Sequence, residues 1–365
     1  MGKKKVATII GARPQFVKAS ILSKLIKESQ ALQEVIIHTG QHYNKEMSDY
    51  FFEELGIPEP SYNLGIGGGT HGENTGKMIE AIEKIFITEQ PDCVVVYGDT
   101  DSTLAGTIAA AKLYIPIFHV EAGLRSFNNR MPEEINRVLT DRVSSLLFAP
   151  TRIAYDNLVK EGTPASRIKL VGDIMYDAVL NFSALAAEKS DIIEQLGLTR
   201  SEFILSTIHR PVNTDSVTTL QSIFKAFESS RHTIVFPVHP RTSKVIREKG
   251  IEVPANIKLI DPVGYLDMLE LERNAGMIIT DSGGVQKEAF FHKVQCVTMR
   301  EETEWKETVE IGVNTLVGSD FAKLKKIVTG ELPAFSYTED QNGLYGDGNS
   351  GKKMLEEIIH FFHAN

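Results

Sequence analysis

Cysteine is almost missing from this chain, with two in 365 residues, Cys93 and Cys296. They stand far apart in the apolar runs DCVVVY and VQCVTM, with no C-x-x-C and no cysteine/histidine cluster of zinc spacing. A disulfide scaffold and a cysteine zinc site are thereby excluded, and both thiols read as core residues of a reducing compartment. A basic excess is lacking too: 39 Lys and Arg against 48 Asp and Glu leave a net charge of -9. That balance argues against broad binding to nucleic acid or an anionic membrane, so an anionic small substrate needs local cations. No uninterrupted apolar stretch is long enough to span a bilayer. The run that follows MGKKK reaches Gly11-Ala12-Arg13-Pro14 after about five residues, too few for the apolar part of a signal peptide. The expectation is a cytoplasmic protein without metal or redox cofactor. Short-period repeats and low-complexity tracts are also missing.

What is present is alternation. Short apolar, β-branched runs recur, each followed by a loop and a helical pattern: KVATII, EVIIHT, DCVVVY, IPIFHV, SLLFAP and KLVG, then FILSTI, HTIVFPV, IKLID, GMIIT and QCVTM. Continuous apolar strands that alternate with helices signal parallel sheets covered on both faces. The fold class is α/β, doubly wound, and the pattern occurs twice. At roughly 150 residues per domain the length allows about two domains. The boundary is expected at Gly172-Asp173, giving an N-terminal Rossmann-like domain over 1–172 and a C-terminal one over 173–350, facing each other across a cleft. Helical spacing in GKKMLEEIIHFFHAN predicts a closing helix, 351–365, that returns to the first domain. Ligands of such sheets bind beyond the carboxyl ends of the strands, so the residues just after each run are the informative ones.

Residues 67–72, GGGTHG, match the dinucleotide fingerprint G-x-G-x-x-G. A functional fingerprint follows a strand, usually the first, and opens a helix. Here SYNLGI precedes it, a poor strand, while the first strand ends in Gly11-Ala12-Arg13-Pro14 with no glycine pattern. The stretch reads as a loop, from which His71 can still reach a ligand.

The strongest phosphate signal is IITDSGGVQKEA, in which a strand leads into Asp281-Ser282-Gly283-Gly284 and then a helix from about Val285. Glycines let a ligand approach the backbone, and free N–H groups at a helix start point at an anion. A simple Ser/Asp N-cap explains the same letters. A helix terminus contributes only about 0.3–1 kcal/mol at an exposed site, so a diphosphate needs cations as well. Candidates follow other strands: Arg13 with Lys18, His209 with Arg210, and His239 with Arg241. Glu288, one helical turn beyond Gly284, is placed to accept from ribose hydroxyls. The first half supplies acids: Asp99 after DCVVVYG, Glu121 after IPIFHV, and Glu133-Glu134 in RMPEEINR. Each also fits a helix cap or dipole compensation, Asp99 especially, since GDTDST looks like a helix start. Together they suit acid/base work, with Arg125 and Arg137 near enough in sequence to tune or pair with them.

At this point the chain resembles a family, the non-hydrolysing UDP-N-acetylglucosamine 2-epimerases, whose two-domain fold is that of glycosyltransferase-B enzymes. The resemblance runs through GARPQFVK, HTGQHY, GDTDSTLAG, HVEAGLRS, MPEEINR, the HR at 209–210, PVHPRT, DPVGYL, TDSGGVQKEA and TEW. It implies that Asp99, Glu121 and Glu133 are acid/base carboxylates. It also implies that Arg13, His209, Ser282 and Gly283 hold the diphosphate, that Glu288 binds ribose, and that Lys18 and Arg137 complete the site; Gly284, Arg210 and His239 stay with the phosphate group on the reading above. His209 is counted with the catalytic residues. A C2 hydrogen of a hexosamine has no adjacent carbonyl, so inversion needs either oxidation of a neighbour or loss of a leaving group. The family's route is anti elimination of UDP to a 2-acetamidoglucal and re-addition, with no cofactor. A homodimer and a role in surface-polysaccharide precursor synthesis are implied alongside.

The chain departs from the family's commonest letters at three places. It reads His209-Arg210-Pro211-Val212-Asn213 where members activated by a second substrate molecule read HRREN, Arg13-Pro14-Gln15 for RPE, and Thr303-Glu304-Trp305-Lys306-Glu307 for TERPE. GARPQFVKAS, VQKEAFF, CVTMR and TEW look closer to the branch that acts on UDP-2,3-diacetamido-2,3-dideoxy-glucuronate. A uronate wants an extra cation, for which Lys287 and Lys306 are candidates. Competing readings are a hydrolysing epimerase on the same scaffold, a UDP-sugar glycosyltransferase, and a non-enzymatic nucleotide-sugar sensor.

Overall fold

The structure is a computed structural model, described over residues 2–40, 56–331 and 343–364. Contacts divide the chain into two compact units, Met1–Leu180 with Asp340–Asn365, and Asn181–Glu339. The division falls inside the helix Ile174–Lys189, a little beyond Gly172-Asp173.

The first unit is built on strands β1 (Lys4–Ile10), β2 (Leu32–His38), β3 (Tyr62–Asn63), β4 (Cys93–Tyr97), β5 (Ile117–Val120), β6 (Leu146–Ala149) and β7 (Ile168–Leu170). They form one sheet in the order β3-β2-β1-β4-β5-β6-β7. Every paired neighbour is parallel, and β1 pairs with both β2 and β4. β4, β5 and β6 are buried at every position, as strands covered on both faces must be. SYNLGI contributes only the two-residue edge strand β3.

The second unit repeats the plan with β8 (Phe203–Thr207), β9 (Thr233–Pro237), β10 (Ile257–Ile260), β11 (Met277–Thr280), β12 (Cys296–Thr298) and β13 (Asn314–Leu316). Their order is β10-β9-β8-β11-β12-β13. All of these pairs are parallel as well. In both sheets the winding direction reverses beside the first strand, between β1 and β4 and between β8 and β11. Such a switch point opens a crevice at the carboxyl ends of those two strands. The turns to read are therefore 11–13 and 98–101 in the first unit, and 208–210 and 281–284 in the second.

The closing helix, Ser350–Ala364, belongs to the first unit. Gly351 lies so close to the helix Arg13–Glu28 that a Cβ there would stand 2.7 Å from Ile21 Cγ2, and its N–H donates to Asp177 at 2.8 Å. Lys169 pairs with Glu357 at 2.8 Å, and Phe361 meets Phe118 edge to face. Among the described residues no helix is long and apolar enough to cross a membrane.

Candidate functional site

At the first unit's switch point two acids each face a cation. Asp99, just past β4, takes the guanidinium of Arg137, through Nη2 and through Nε at 3.1 Å. Glu121, just past β5, takes the ammonium of Lys18, with both side chains 9% exposed. Gly98 joins the two pairs. Its φ is +62°, and a Cβ there would stand 3.3 Å from Glu121 Oε2 and 3.5 Å from Lys18 Nζ. Glycine thus meets both a backbone need and a space need at this turn.

Local chemistry explains why Asp99 is available. The cap of the helix Asp101–Lys112 is Thr100, which accepts from the Thr103 N–H at 3.4 Å, so Asp99 has no capping duty. Arg137 lies on the helix Pro132–Val143 and donates through its other nitrogen to Glu134 at 2.6 Å. Glu134 also accepts from the N–H groups of Ser126 and Phe127, each at 2.9 Å. Burial alone would raise its carboxyl; the Ser126 N–H, the Arg137 charge and the Phe127 N–H outweigh it and hold the carboxyl below its usual value. Glu133, the neighbour singled out in the sequence, sits partly exposed in the same first turn.

Arg13 opens its helix directly after β1. Two residues on, Gln15 stitches the crevice together. Its Oε1 accepts from the N–H of Gly11 at 2.8 Å and of Ala12 at 3.0 Å, while its Nε2 donates to Tyr97 O at 2.8 Å and Thr100 Oγ1 at 3.0 Å. His71 pairs through Nδ1 with Asp101 at 2.7 Å and is 71% exposed. GGGTHG does open a helix, His71–Glu89, with Thr70 as its cap, but it follows the edge strand β3. The motif HTGQHY begins in β2 and continues outside the described residues.

Arg125 pairs with neither Asp99 nor Glu121. Its Nη1 meets Asp141 at 2.7 Å, and it clasps Glu161 through Nε and Nη2 at 2.7 and 2.6 Å. Asp141 receives the His119 ring at 2.6 Å and the Gly123 N–H at 3.1 Å. Burial presses the Asp141 carboxyl upward, yet His119 and then Arg125 hold it below the usual carboxylate range. The sequence reading passed over His119 and Asp141. The signal was there: a histidine inside a continuous apolar strand must find partners when buried.

In the second unit the turn after β11 and the turn after β8 are joined by Asp281. Fully buried, it accepts from the N–H of His209 at 3.1 Å, the N–H of Arg210 at 2.9 Å and Asn213 Nδ2 at 2.9 Å, and it faces His209 Nδ1 at 3.1 Å. Ser282 takes the N-cap position of the helix Gly283–Phe291 without a side-chain capping bond, so the plain Ser/Asp cap is not what these residues form. Gly283 and Gly284 open that helix. A Cβ on Gly284 would lie 3.9 Å from Ser282 Oγ and 4.0 Å from Glu288 Oε2. Glu288 also accepts from the Tyr265 hydroxyl at 3.2 Å. These groups line one open helix start, suited to an anion joined to a hydroxyl-bearing sugar.

The TEW stretch braces this helix from behind. Thr303 donates to Gln286 at 2.7 Å, and Glu304 takes the Arg300 guanidinium through two bonds of 2.9 and 3.0 Å. Trp305 carries Lys287 Nζ 4.1 Å from its ring centre. Lys287 is 1% exposed, whereas Lys306 is exposed. His239 is exposed at the start of the helix Pro240–Glu248, and the side chain of Arg241 lies outside the described residues. Among the described residues no cluster of three or more His, Cys, Asp or Glu could hold a metal ion.

The family model described as UDP-N-acetylglucosamine 2-epimerase matches residues 24–359. The chain belongs to the UDP-N-acetylglucosamine 2-epimerase family. It is an isomerase. A UDP-N-acetylglucosamine 2-epimerase homolog of Methanococcus maripaludis is 52% identical, covering 97% of this chain and 99% of that protein. The UDP-2,3-diacetamido-2,3-dideoxy-D-glucuronate 2-epimerase of Pseudomonas aeruginosa is 51% identical, with 97% and 99% covered. The crystal structure of Methanocaldococcus jannaschii UDP-GlcNAc 2-epimerase in complex with UDP-GlcNAc and UDP aligns with a TM-score of 0.89 at 43% identity, covering 98% of this chain and 99% of that one. Members of this epimerase family thus share both the sequence and the two-sheet α/β fold described above.

Proposed function

We propose that the protein is a non-hydrolysing UDP-N-acetylhexosamine 2-epimerase that inverts C2 between gluco and manno configurations. The observation that carries this reading is the pair of acid–cation couples, Asp99 with Arg137 and Glu121 with Lys18, set around Gly98 at one switch point. One carboxylate takes the C2 proton; the electron pair of that C–H bond forms the C1–C2 double bond as the C1–O bond breaks and UDP leaves with its electrons. The 2-acetamidoglucal then receives a proton on the opposite face of C2, and a diphosphate oxygen of UDP adds back to C1. Asp99, Glu121 and Glu133 are assigned the proton transfers, with His209 at the leaving diphosphate. Arg13, Lys18, Arg137, Arg210, His239, Ser282, Gly283 and Gly284 are assigned to the charge that develops on UDP, and Glu288 to the ribose. Charge-assisted hydrogen bonds of about 1.5–3 kcal/mol each make departure of UDP feasible on a protein of this net charge.

The substrate is UDP-GlcNAc or UDP-2,3-diacetamido-2,3-dideoxy-glucuronate, the classes named for the relatives at 52%, 51% and 43% identity. The enzyme works in the cytoplasm as a homodimer, in surface-polysaccharide precursor synthesis. Support for self-association is the helix Pro132–Val143, whose outer face leaves Ile135, Leu139 and Val143 48%, 45% and 42% exposed. The test is incubation of the protein in D2O with each sugar nucleotide, following the C2 proton and the manno anomeric signal by NMR. Exchange at C2 with UDP still attached supports non-hydrolysing epimerisation, and the faster sugar names the substrate. Free manno sugar with released UDP assigns the hydrolysing type instead. No exchange with either sugar defeats the proposal.

A further inference from the structure

We propose that His119 and Asp141 form a buried positioning pair that fixes the Asp99 and Glu121 turns relative to each other, with His119 protonated on both ring nitrogens. This inference rests on the proton-transfer roles proposed above for those two acids.

Hydrogen-bond partners fix both ring protons. His119 Nε2 stands 2.8 Å from the carbonyl oxygen of Gly98, which can only accept. His119 Nδ1 stands 2.6 Å from Asp141 Oδ1, and the other Asp141 oxygen already accepts from the Gly123 N–H at 3.1 Å and faces Arg125 Nη1 at 2.7 Å. A carboxylate engaged by a guanidinium and a backbone N–H is an acceptor, so both ring nitrogens donate. A neutral imidazole has one N–H and cannot satisfy both contacts. The resulting charges close on themselves: His119 and Arg125 are the cations, Asp141 and Glu161 the anions, with His119 0% and Asp141 3% exposed.

The two ends of this chain of bonds are the two turns that carry the acids. Gly98 precedes Asp99. Gly123 is two residues past Glu121, and Arg125 Nη1 also donates to Leu124 O at 2.6 Å. Glu121 itself is held at φ +74°, a left-handed conformation that costs a non-glycine residue energy and persists only where its surroundings enforce it. Lys18 and Arg137 engage the carboxylates, whereas His119 and Asp141 hold the backbone beside them, at Gly98 and Gly123. They touch no reacting atom on this reading and act through the separation of two acids that must serve opposite faces of one carbon.

The test uses the intact protein and two readouts. The chain has 10 histidines, so selective 15N-histidine labelling gives a countable spectrum, and the resonances lost in His119→Gln assign that ring. The expected result at neutral pH is a one-bond proton on each of its nitrogens; a proton-free nitrogen overturns the inference. In His119→Asn, His119→Gln and Asp141→Asn, kcat for C2 inversion is expected to fall about a hundredfold, as for a misplacement of about 1 Å. KM and the Kd for UDP stay within about threefold. Unchanged kcat, or UDP affinity that falls in parallel with kcat, also overturns it. A wild-type protein with no C2 exchange but a doubly protonated His119 defeats the proposed function alone, whereas an active enzyme with a proton-free His119 nitrogen defeats this inference alone.

Discussion

Glu34 offers the sharpest test of the first unit's architecture. It lies in β2, and its Oε1 accepts from Thr8 Oγ1 in β1 at 2.5 Å and from Ser23 Oγ at 2.9 Å. Burial pushes its carboxyl up from 4.5 to about 7, more than those two hydroxyls can offset. In the unfolded chain the group loses its proton near the ordinary value; in the fold it keeps it until about 7. Between those values the unfolded state binds fewer protons, so stability falls as pH rises. Below the ordinary value the contribution is fully present, and above about 7 it is gone. A shift of this size corresponds to about 3 kcal/mol, at about 1.4 kcal/mol per unit. Glu34→Gln keeps the acceptor oxygen and removes the titration. Hydrogen exchange at the amides of β1 and β2 reads the opening of this unit by itself. At about pH 4 the variant and wild type are expected to protect these amides alike, and at about pH 8 the variant is expected to protect them at least roughly a hundredfold better. An equal gap at both pH values would mean that Glu34 does not change its proton between them.

His292 tests the opposite sign in the second unit. Burial, with Arg273 nearby, lowers it from 6.5 to about 4, so the unfolded chain takes up a proton that the fold refuses as pH falls through that range. Acid should therefore cost the wild type about 2 kcal/mol that His292→Gln does not lose, read as the difference in urea midpoints at about pH 7 and pH 5. Gly98→Ala forces a side chain into a left-handed turn against Glu121 and Lys18, so kcat should fall at least about tenfold, with about 1–2 kcal/mol of stability lost. A variant with wild-type turnover would remove Gly98 from the site. Leu139→Glu places a charge on the exposed face of the helix Pro132–Val143, and sedimentation velocity should show monomer in place of dimer. Unchanged sedimentation would move the self-contact elsewhere.

Fold class was legible because buried parallel strands leave a local trace: CVVVY and LLFA are apolar throughout, and IFHV is apolar at every position but His119. β13 was missed because NTL is three residues long and two of them are polar. The domain boundary was harder to read because it lies within a continuous helix, where no loop composition marks it. Within the site, positions beyond strand ends followed from the winding rule alone. What sequence reading passed over is the layer beneath them. Gln15 reaches Tyr97 and Asp141 reaches His119 across separations of 82 and 22 residues. No local pattern encodes such a meeting, since it exists only after the sheet has brought strands β1, β4 and β5 side by side. Arg300 escaped for another reason: its partner Glu304 is four residues away, and a short ion pair reads as surface decoration until the fold buries it.

The repeated strand order bears on how this enzyme can change. Two sheets with the same winding supply two crevices, and acids furnish one while a glycine-rich helix start furnishes the other. Among the described bonds, Asp99 meets Arg137 and Glu121 meets Lys18 within the first unit, and the Arg210 and Ser282 N–H groups meet Asp281 and Thr280 within the second. Under the proposed function, the Ser282–Gly283 helix start can thus be inherited intact while residues around the acids are exchanged to suit a different sugar, provided that Arg13, Lys18 and Arg137, assigned to the same diphosphate, are kept.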